Sequence, residues 1–132
     1  MAGDAIVLDS GALSAFAERD KALRFALEKE LSSGTVVRVP TVVIAESATG
    51  DPRRDAKLDR TLKALIVVGL DEATARAAAA LRHALRVRRS GTIDAIVVAT
   101  ADRVPGTRLM TTDASDLRPL AAVNGRTAVV PV

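Results

Sequence analysis

Cysteine, tryptophan and tyrosine are absent from this sequence, and phenylalanine occurs only as Phe16 and Phe25. Without cysteine the chain has no disulfide, no thiolate metal site and no thiol nucleophile, which fits a protein of the reducing cytoplasm. With so few aromatic side chains, it cannot bind nucleic acid mainly by stacking bases. The core must be built from Val, Leu, Ile and Ala.

Signals for export and membrane insertion are also missing. The first residues show no basic segment followed by an apolar core, and no apolar run is long enough to span a bilayer. We therefore expect a soluble cytoplasmic protein with no membrane partner. Its 132 residues are enough for one domain, over residues 1–132, with a single core.

The charge balance is basic, with a net charge of +3 and a sequence pI near 9.9. This is compatible with a polyanionic partner but does not establish one. A basic cluster ends an Ala-rich helix at Arg82, Arg86, Arg88 and Arg89. It either stabilises the helix C-terminus or contacts phosphate, and Arg88 and Arg89 are the candidates for RNA binding. His83, the only histidine, is expected to be a surface residue rather than a ligand or a base.

Short apolar segments alternate with helical ones along the chain. The predicted strands cover about 5–8, 35–39, 66–68, 109–111 and 127–130. The predicted helices cover about 12–18, 20–31, 41–48, a segment starting at 50–52, 71–87, 93–101 and 113–123. Because no hairpin turn joins two strands, the pattern indicates a parallel sheet with helices on both faces. Ligands bind at the carboxyl ends of the strands in such sheets.

Two acids follow predicted strands directly. Asp9 comes after the first strand, with Ser10 as a helix cap, and Asp113 comes after the fourth strand. Asp113, together with Asp116 three residues later, has an alternative explanation as a helix N-terminus, because Asp is a preferred cap.

Two further acids interrupt apolar helices. Glu46 lies in a helix that is apolar on nearly every face, and such a helix is expected to be buried, with Glu46 in it. Asp94 opens a second such helix, which Thr92 is expected to cap. Asp94 alone is explained equally well by the helix dipole. A buried carboxylate is nevertheless disfavoured unless it is neutralised, paired or bound to a metal, and no Lys or Arg lies within these segments.

Carboxylates without cysteine or a clustered histidine favour a hard cation, Mg²⁺ or Mn²⁺, over zinc. Such an ion keeps bound waters, and one of them can be activated against a phosphodiester. Ser10 and Thr112, which adjoin Asp9 and Asp113, are expected to support the carboxylates as hydrogen-bond donors.

Four segments, in this order, resemble the PIN domain and, more narrowly, the VapC toxins of bacterial type II toxin-antitoxin pairs: Val7-Leu8-Asp9-Ser10, the Glu46 helix after Pro40, Ile93-Asp94-Ala95 with Ala99-Thr100-Ala101, and Met110 to Leu117. The resemblance covers essentially the whole chain. It implies a PIN-like three-layer α/β/α sandwich with a central parallel sheet of about five strands. Leu117 stands where the family often has Phe, and Ser10 where Thr is common; neither change removes an acid.

The resemblance also implies an activity and partners. The activity would be that of a metal-dependent endoribonuclease, with RNA (tRNA, rRNA or mRNA) as the substrate and a 5′-phosphate on the product. The implied catalytic acids are Asp9, Glu46, Asp94 and Asp113, and the implied metal ligands are Asp9, Asp94, Asp113 and Asp116. The partners would be a second copy in a homodimer and a cognate VapB-type antitoxin that wraps the first helical hairpin.

Three alternative functions have to be compared with this one, and the sequence argues against the first two. A phosphotransferase of the haloacid dehalogenase type needs a second Asp two residues after Asp9, where this chain has Gly11. A phospho-accepting receiver domain needs a Lys late in the chain, and no Lys follows Lys63. The last is a catalytically silent PIN domain that only binds RNA or a protein.

Overall fold

Strands and helices alternate in the computed structural model, which describes residues 4–18, 20–86 and 91–132. Within these residues the strands are β1 Ala5–Leu8, β2 Val36–Pro40, β3 Ile66–Val68, β4 Arg108–Thr111 and β5 Ala128–Pro131. The helices are α1 Ser10–Glu18, α2 Lys21–Ser32, α3 Thr41–Ser47, α4 Ala56–Leu62, α5 Glu72–Leu85, α6 Thr92–Asp102 and α7 Ala114–Asn124. The predicted α/β class is confirmed.

The strands form one parallel sheet in the order β3-β2-β1-β4-β5. The middle strand, β1, is buried along its whole length. A strand that is covered on both faces contains apolar residues throughout, instead of alternating apolar and polar residues. Ala5 to Leu8, which contains no polar residue, follows this rule. The three-layer arrangement around a five-stranded parallel sheet is therefore confirmed.

The chain reverses its direction of travel across the sheet after β3. It moves outward from β1 through β2 to β3, then crosses back to place β4 and β5 on the other side of β1. Because such crossovers are right-handed, the helices before and after the reversal cover opposite faces. Accordingly, α1 packs against α2, α3 and α4, whereas α5 packs against α6 and α7. The β1–β4 pair is the switch point at which ligand sites form in parallel sheets.

The core is aliphatic, as the composition requires. Fully buried side chains come from both helical layers and from the sheet: Ile6, Leu8, Leu13, Leu27, Leu81, Leu109 and Leu117. Each such side chain contributes about 1.5–3 kcal/mol relative to an exposed one. Helix α6, predicted to be apolar all round, is buried from Ala95 to Asp102, so it forms a rigid support for the Asp94 that precedes this stretch.

Helix α4 begins later than predicted, at Ala56 instead of 50–52. The cause is Asp55, whose carboxylate accepts hydrogen bonds from the Thr49 and Gly50 backbone N–H groups and from the Thr49 hydroxyl. These bonds hold the segment before Ala56 as a turn. The backbone hydrogen bonds on Asp55 also keep the pKa of its carboxyl below the usual range.

The predicted helix caps are also corrected. Ser10 is the first residue of α1, and the cap is Asp9, whose Oδ1 accepts from the Ala12 N–H at 2.8 Å. Thr92 is likewise the first residue of α6, with Gly91 at the N-cap position. Helix α5 ends at Leu85, before the predicted 87, because Arg86 adopts a left-handed conformation with φ of 54°.

The expectation that α3 is buried is wrong. Of its residues only Val43 is fully buried, Val42 and Ile44 are half-buried, and both Ala45 and Glu46 are exposed. Glu46 therefore does not carry the cost of a buried charge.

No helix in the described part of the chain is both long and apolar enough to cross a bilayer.

Candidate metal centre

Two acid-bearing strand ends meet at the switch point. Leu8 at the end of β1 is the pairing partner of Met110 in β4. The Asp9 N–H extends this ladder by donating to the Met110 carbonyl at 3.2 Å. This register puts Asp9 opposite Thr111, two residues before Asp113.

Thr111 links the two acids through its hydroxyl. The side chain is fully buried, and its Oγ1 donates a short hydrogen bond to Asp9 Oδ2 while accepting from the Asp113 N–H at 2.7 Å. The supporting hydroxyl that sequence reasoning assigned to Ser10 and Thr112 is thus contributed, toward Asp9, by Thr111. The sequence signal was that Thr111 is the hydroxyl residue directly after the apolar pair Leu109–Met110 and therefore still within the strand.

Asp9 is fixed at both oxygens. Oδ1 caps α1 at the Ala12 N–H, Oδ2 is bound by Thr111, and only 9% of the residue is exposed. Carboxylate oxygens carry two lone pairs each, so both can still accept a further ligand. Capping and a role in the site are therefore compatible for this residue.

A close approach of α1 to the end of β4 depends on Gly11. A Cβ at this position would lie 1.8 Å from Thr112 Oγ1 and 2.9 Å from Thr112 Cβ. Any side chain here would push the two acid-bearing segments apart. The second Asp that a haloacid dehalogenase would need at this position therefore has no room.

Three carboxylates converge beside Asp9. Asp94 lies in the first turn of α6, Asp113 at the N-cap of α7 and Asp116 in the first turn of α7. One oxygen from each lies within 4.8 Å of the other two. Asp113 and Asp116 are exposed and Asp94 is half-buried. The cluster is therefore accessible to solvent on the side of Asp113 and Asp116.

The cluster is electrostatically strained. Burial, followed by the charges of Asp113, Asp116, Glu46 and Asp9, raises the pKa of the Asp94 carboxyl. A hydrogen bond with Asp116, followed by burial and the charges of Asp116 and Asp9, raises the pKa of Asp113. None of the ion pairs among the described residues includes an acid of this group. The excess negative charge is what a bound cation would neutralise.

The remaining site residues of the sequence hypothesis have mixed positions. Glu46 is exposed on α3 but close enough for its charge to act on Asp94. Asp116, implied by the resemblance as a metal ligand but not as a catalytic acid, belongs to the trio of converging carboxylates. Asp9 and Glu46 lie outside the trio, but their charges act on Asp94. Arg88 and Arg89 lie outside the described residues. His83 is exposed, as expected.

Two surface concavities adjoin these elements. One, of about 420 Å³, is lined by Leu85, Gly91, Asp94, Ser115, Asp116, Pro119 and Leu120. It brings apolar walls up to two acids of the trio, which leaves room for a ligand there. The other, of about 380 Å³, lies between the α1–α2 hairpin and α4, with Phe16, Leu31 and Ala64 among its apolar walls and Arg24, Glu28 and Arg60 among its charged ones.

A donor set made only of carboxylate oxygens fits a hard divalent cation. Mg²⁺ and Mn²⁺ prefer oxygen ligands, are held by a few carboxylates and retain bound water. The trio of Asp94, Asp113 and Asp116 meets this requirement, with Asp9 held next to it. Such a centre can polarise a phosphoryl oxygen and supply a nucleophilic water.

Comparison with known proteins agrees with this geometry. The family model described as PIN domain matches residues 6–121. No curated protein matches the chain by sequence. Among solved structures, VapBC2 from Rickettsia felis bound to a promoter DNA fragment superposes with a TM-score of 0.78 at 13% identity, over 97% of this chain and 98% of that one.

Two further structures are similar in fold. DNA-bound VapBC from Salmonella typhimurium gives a TM-score of 0.73 at 15% identity, over 96% of each chain. A toxin-antitoxin complex from Klebsiella pneumoniae gives 0.66 at 22% identity, over 95% of each chain. At these identities the likeness shows the fold.

Proposed function

This chain belongs to the PIN domain family, and we propose that it is a metal-dependent endoribonuclease of the VapC type, the toxin of a toxin-antitoxin pair. The observation that carries the proposal is the convergence of Asp94, Asp113 and Asp116 at the switch point of the sheet. The proposal covers the chain as a single PIN domain, residues 1–132, that acts on RNA in the cytoplasm.

Asp94, Asp113 and Asp116, with Asp9 beside them, would hold one or two Mg²⁺ or Mn²⁺ ions. When bound, the ion supplies charge stabilisation at the phosphate and a more acidic water. The raised pKa values support the assignment: burial and then the neighbouring carboxylates raise the pKa of Asp94, and the contact with Asp116, burial and then the charges of Asp116 and Asp9 raise that of Asp113. Binding a cation relieves the repulsion among these carboxylates.

The protein's own groups orient the reaction. Thr111 and the Ala12 N–H hold the Asp9 carboxylate in one orientation. The exposed carboxylate of Glu46 accepts a hydrogen bond from the attacking water and aims it at the phosphorus. Attack by water on an RNA phosphodiester, with departure of the 3′-oxygen, leaves a 5′-phosphate on one product and a 3′-hydroxyl on the other.

The partners proposed are a VapB-type antitoxin and a second copy of the chain. The antitoxin would bind the 380 Å³ concavity between the α1–α2 hairpin and α4, which offers apolar walls and charges of both signs to a peptide. The solved structures of VapBC and toxin-antitoxin complexes, similar in fold, support this partner. Homodimerisation would cover apolar residues of α3 that a single chain leaves partly exposed.

The test is cleavage of a tRNA pool by the purified protein with Mn²⁺, with and without a chelator. We expect fragments bearing 5′-phosphates from the wild type in the presence of metal, and no such fragments in chelator or from Asp94→Asn. The matched control is Asp51→Asn, which removes an exposed carboxylate from the α3–α4 loop. RNA binding without cleavage at any metal concentration would instead identify a catalytically silent PIN module.

A further inference from the structure

A basic concavity lies on the last turn of α5, outside the acidic site. Its volume is about 410 Å³ and its walls are Ala79, Arg82, His83 and Arg86. Arg82 and His83 belong to the final turn of the helix, and Arg86 is its C-cap. None of these three side chains takes part in an ion pair or a side-chain hydrogen bond among the described residues.

The Arg82 guanidinium has an unmet requirement. Its Nε is buried and has no hydrogen-bond partner. A buried donor without an acceptor costs free energy of folding, and native proteins rarely retain one unless a water, an ion or a ligand satisfies it. An anion placed in this concavity would contact the exposed His83 and Arg86 side chains and would neutralise the charge of the partly buried Arg82 guanidinium.

Arg86 is held in a conformation that disfavours it. Its φ of 54° lies in the left-handed region, and it is the one non-glycine residue of the described chain with a positive φ. Glycine is the usual residue at such a helix end. A residue in such a disfavoured conformation is often found at a ligand site. The charges of Arg82 and Arg86, which line the same concavity, favour a ligand of opposite charge.

The position of the concavity relates it to the acidic site. Leu85, in the same turn as Arg82, lines the 420 Å³ concavity together with Asp94 and Asp116. The last turn of α5 therefore borders both the concavity that contains the acids and the basic concavity. A polyanionic chain that enters the acidic site can pass over this turn.

We propose that Arg82, His83 and Arg86 bind a backbone phosphate of the RNA substrate, away from the bond that is cleaved. The inference rests on the proposed nuclease function and adds the residues that hold the substrate. A phosphate offers several acceptor oxygens, and the guanidinium group of Arg matches it with a fork of donors. The contact is with the RNA backbone, so it adds affinity without base specificity.

The test measures binding of a fluorescent hairpin RNA by anisotropy, in chelator so that no metal-dependent cleavage occurs. We expect Arg82→Ala to weaken binding about tenfold and to lower the slope of log affinity against log salt by about one. Arg82→Lys restores only part of the affinity, because an ammonium group cannot offer the planar fork of donors that matches a phosphate. The control is Arg76→Ala, which removes an exposed Arg of the same helix that pairs with Glu72; it should bind as the wild type does.

Arg86→Gly separates this function from folding. We expect a higher melting temperature, because Gly suits the left-handed position, together with weaker RNA binding. The proposal is overturned if Arg82→Ala and Arg76→Ala bind RNA equally well, or if Arg86→Gly binds as the wild type does. Failure of the nuclease function is distinguishable: the wild type would then leave RNA intact in Mn²⁺ while its binding still depended on Arg82.

Discussion

Single carboxylates in this protein serve structure and the candidate site together. Asp9 caps α1 through one oxygen and receives the Thr111 hydroxyl at the other. Asp113 occupies the N-cap position of α7, but its side chain makes no capping hydrogen bond and instead lies within 4.8 Å of the Asp116 carboxylate. The side chain at the expected cap is thus free of a capping role, which favours a role in the cluster.

Substitution of Asp94 should separate stability from activity. The pKa of Asp94 is raised in the folded protein, so its ionisation costs stability, and this cost appears as pH rises through the raised pKa. Metal-free Asp94→Asn should therefore melt at the same temperature as the wild type or higher at neutral pH, with the difference vanishing in acid. RNA cleavage in Mn²⁺ should fall by about 100-fold or more. Unfolding of the variant would instead mark Asp94 as a structural residue.

Thr111→Val tests the link between the two acids. Val keeps the shape but removes the hydroxyl, which leaves Asp9 Oδ2 and the Asp113 N–H without this partner. We expect a loss of about 1–3 kcal/mol in the free energy of unfolding and about a 10- to 100-fold loss of Mn²⁺ affinity. Urea denaturation and metal titration measure these effects. Thr111→Ser should restore both, and Thr112→Val, at the exposed neighbour, should change neither by a comparable amount.

The sequence identified the acids of the site, but not the residue that hydrogen-bonds to them or the burial of each acid. Asp9, Asp94 and Asp113 were identified by their positions after strands or in an apolar helix, features that a linear pattern carries. Thr111 was missed because its role depends on the register between β1 and β4, which brings it opposite Asp9. The burial of Glu46 was predicted wrongly because a pattern gives the polarity of a helix and not which elements cover it.

Among the elements, α2 is joined to the sheet by an ion pair at the end of β4 opposite to the acids. Arg108, the first residue of β4, binds Glu30 through two hydrogen bonds, Nη1 to Oε2 at 2.5 Å and Nη2 to Oε1 at 3.0 Å. Thr35 donates a third bond to Glu30 at 2.8 Å. Arg108, followed by Thr35, lowers the pKa of Glu30 to about 2.

This ion pair predicts an acid-dependent stability. A lowered pKa means that the contribution is present above the unfolded value of 4.5 and is lost as pH falls from there toward about 2. Glu30→Gln should be less stable than the wild type by about 1 kcal/mol at neutral pH, and the gap should close in acid. Urea unfolding over this pH range measures it. RNA cleavage at neutral pH should stay unchanged, because the pair is remote from the acids; a loss of activity would contradict this assignment.

Most elements were predictable because short apolar strands and amphipathic helices each have a distinct period. The exceptions have local causes. The turn before α4 is held by Asp55 contacting residues five and six positions earlier, a contact that no helical or strand period records. Similarly, the sequence analysis used Gly11 only to argue against a haloacid dehalogenase. The structure shows that Gly11 also allows α1 to approach Thr112.

For the whole molecule, metal binding should appear as stability. A ligand that binds only the folded state stabilises it by about 2.7 kcal/mol at a concentration 100 times its dissociation constant. We expect Mn²⁺ to raise the melting temperature of the wild type and chelator to reverse the rise. Asp113→Asn should respond weakly, and Asp51→Asn should respond as the wild type does. An equal rise in both variants would place the ion elsewhere.

At this scale the sequence predicted the class and, through its resemblance to the PIN domain, the three-layer architecture. The spacing of the predicted elements did not show where the Asp94 helix packs against the sheet. That position depends on which strands pair, and strand pairing does not follow from the order of the strands in the chain. In the structure, β1 pairs with β4, and the strand order reverses there. This pairing fixes the position of the Asp94 helix relative to the sheet.

The bond between Thr111 and Asp9 joins residues 102 positions apart. The bond therefore cannot form until Thr111 has been synthesised. A ribosome that has released only about the first four-fifths of the chain exposes Asp9 and Glu46 but has not yet completed β4. The proposed nuclease site would then be incomplete until nearly the entire polypeptide has emerged, which would leave the proposed antitoxin time to bind the α1–α2 hairpin before cleavage begins.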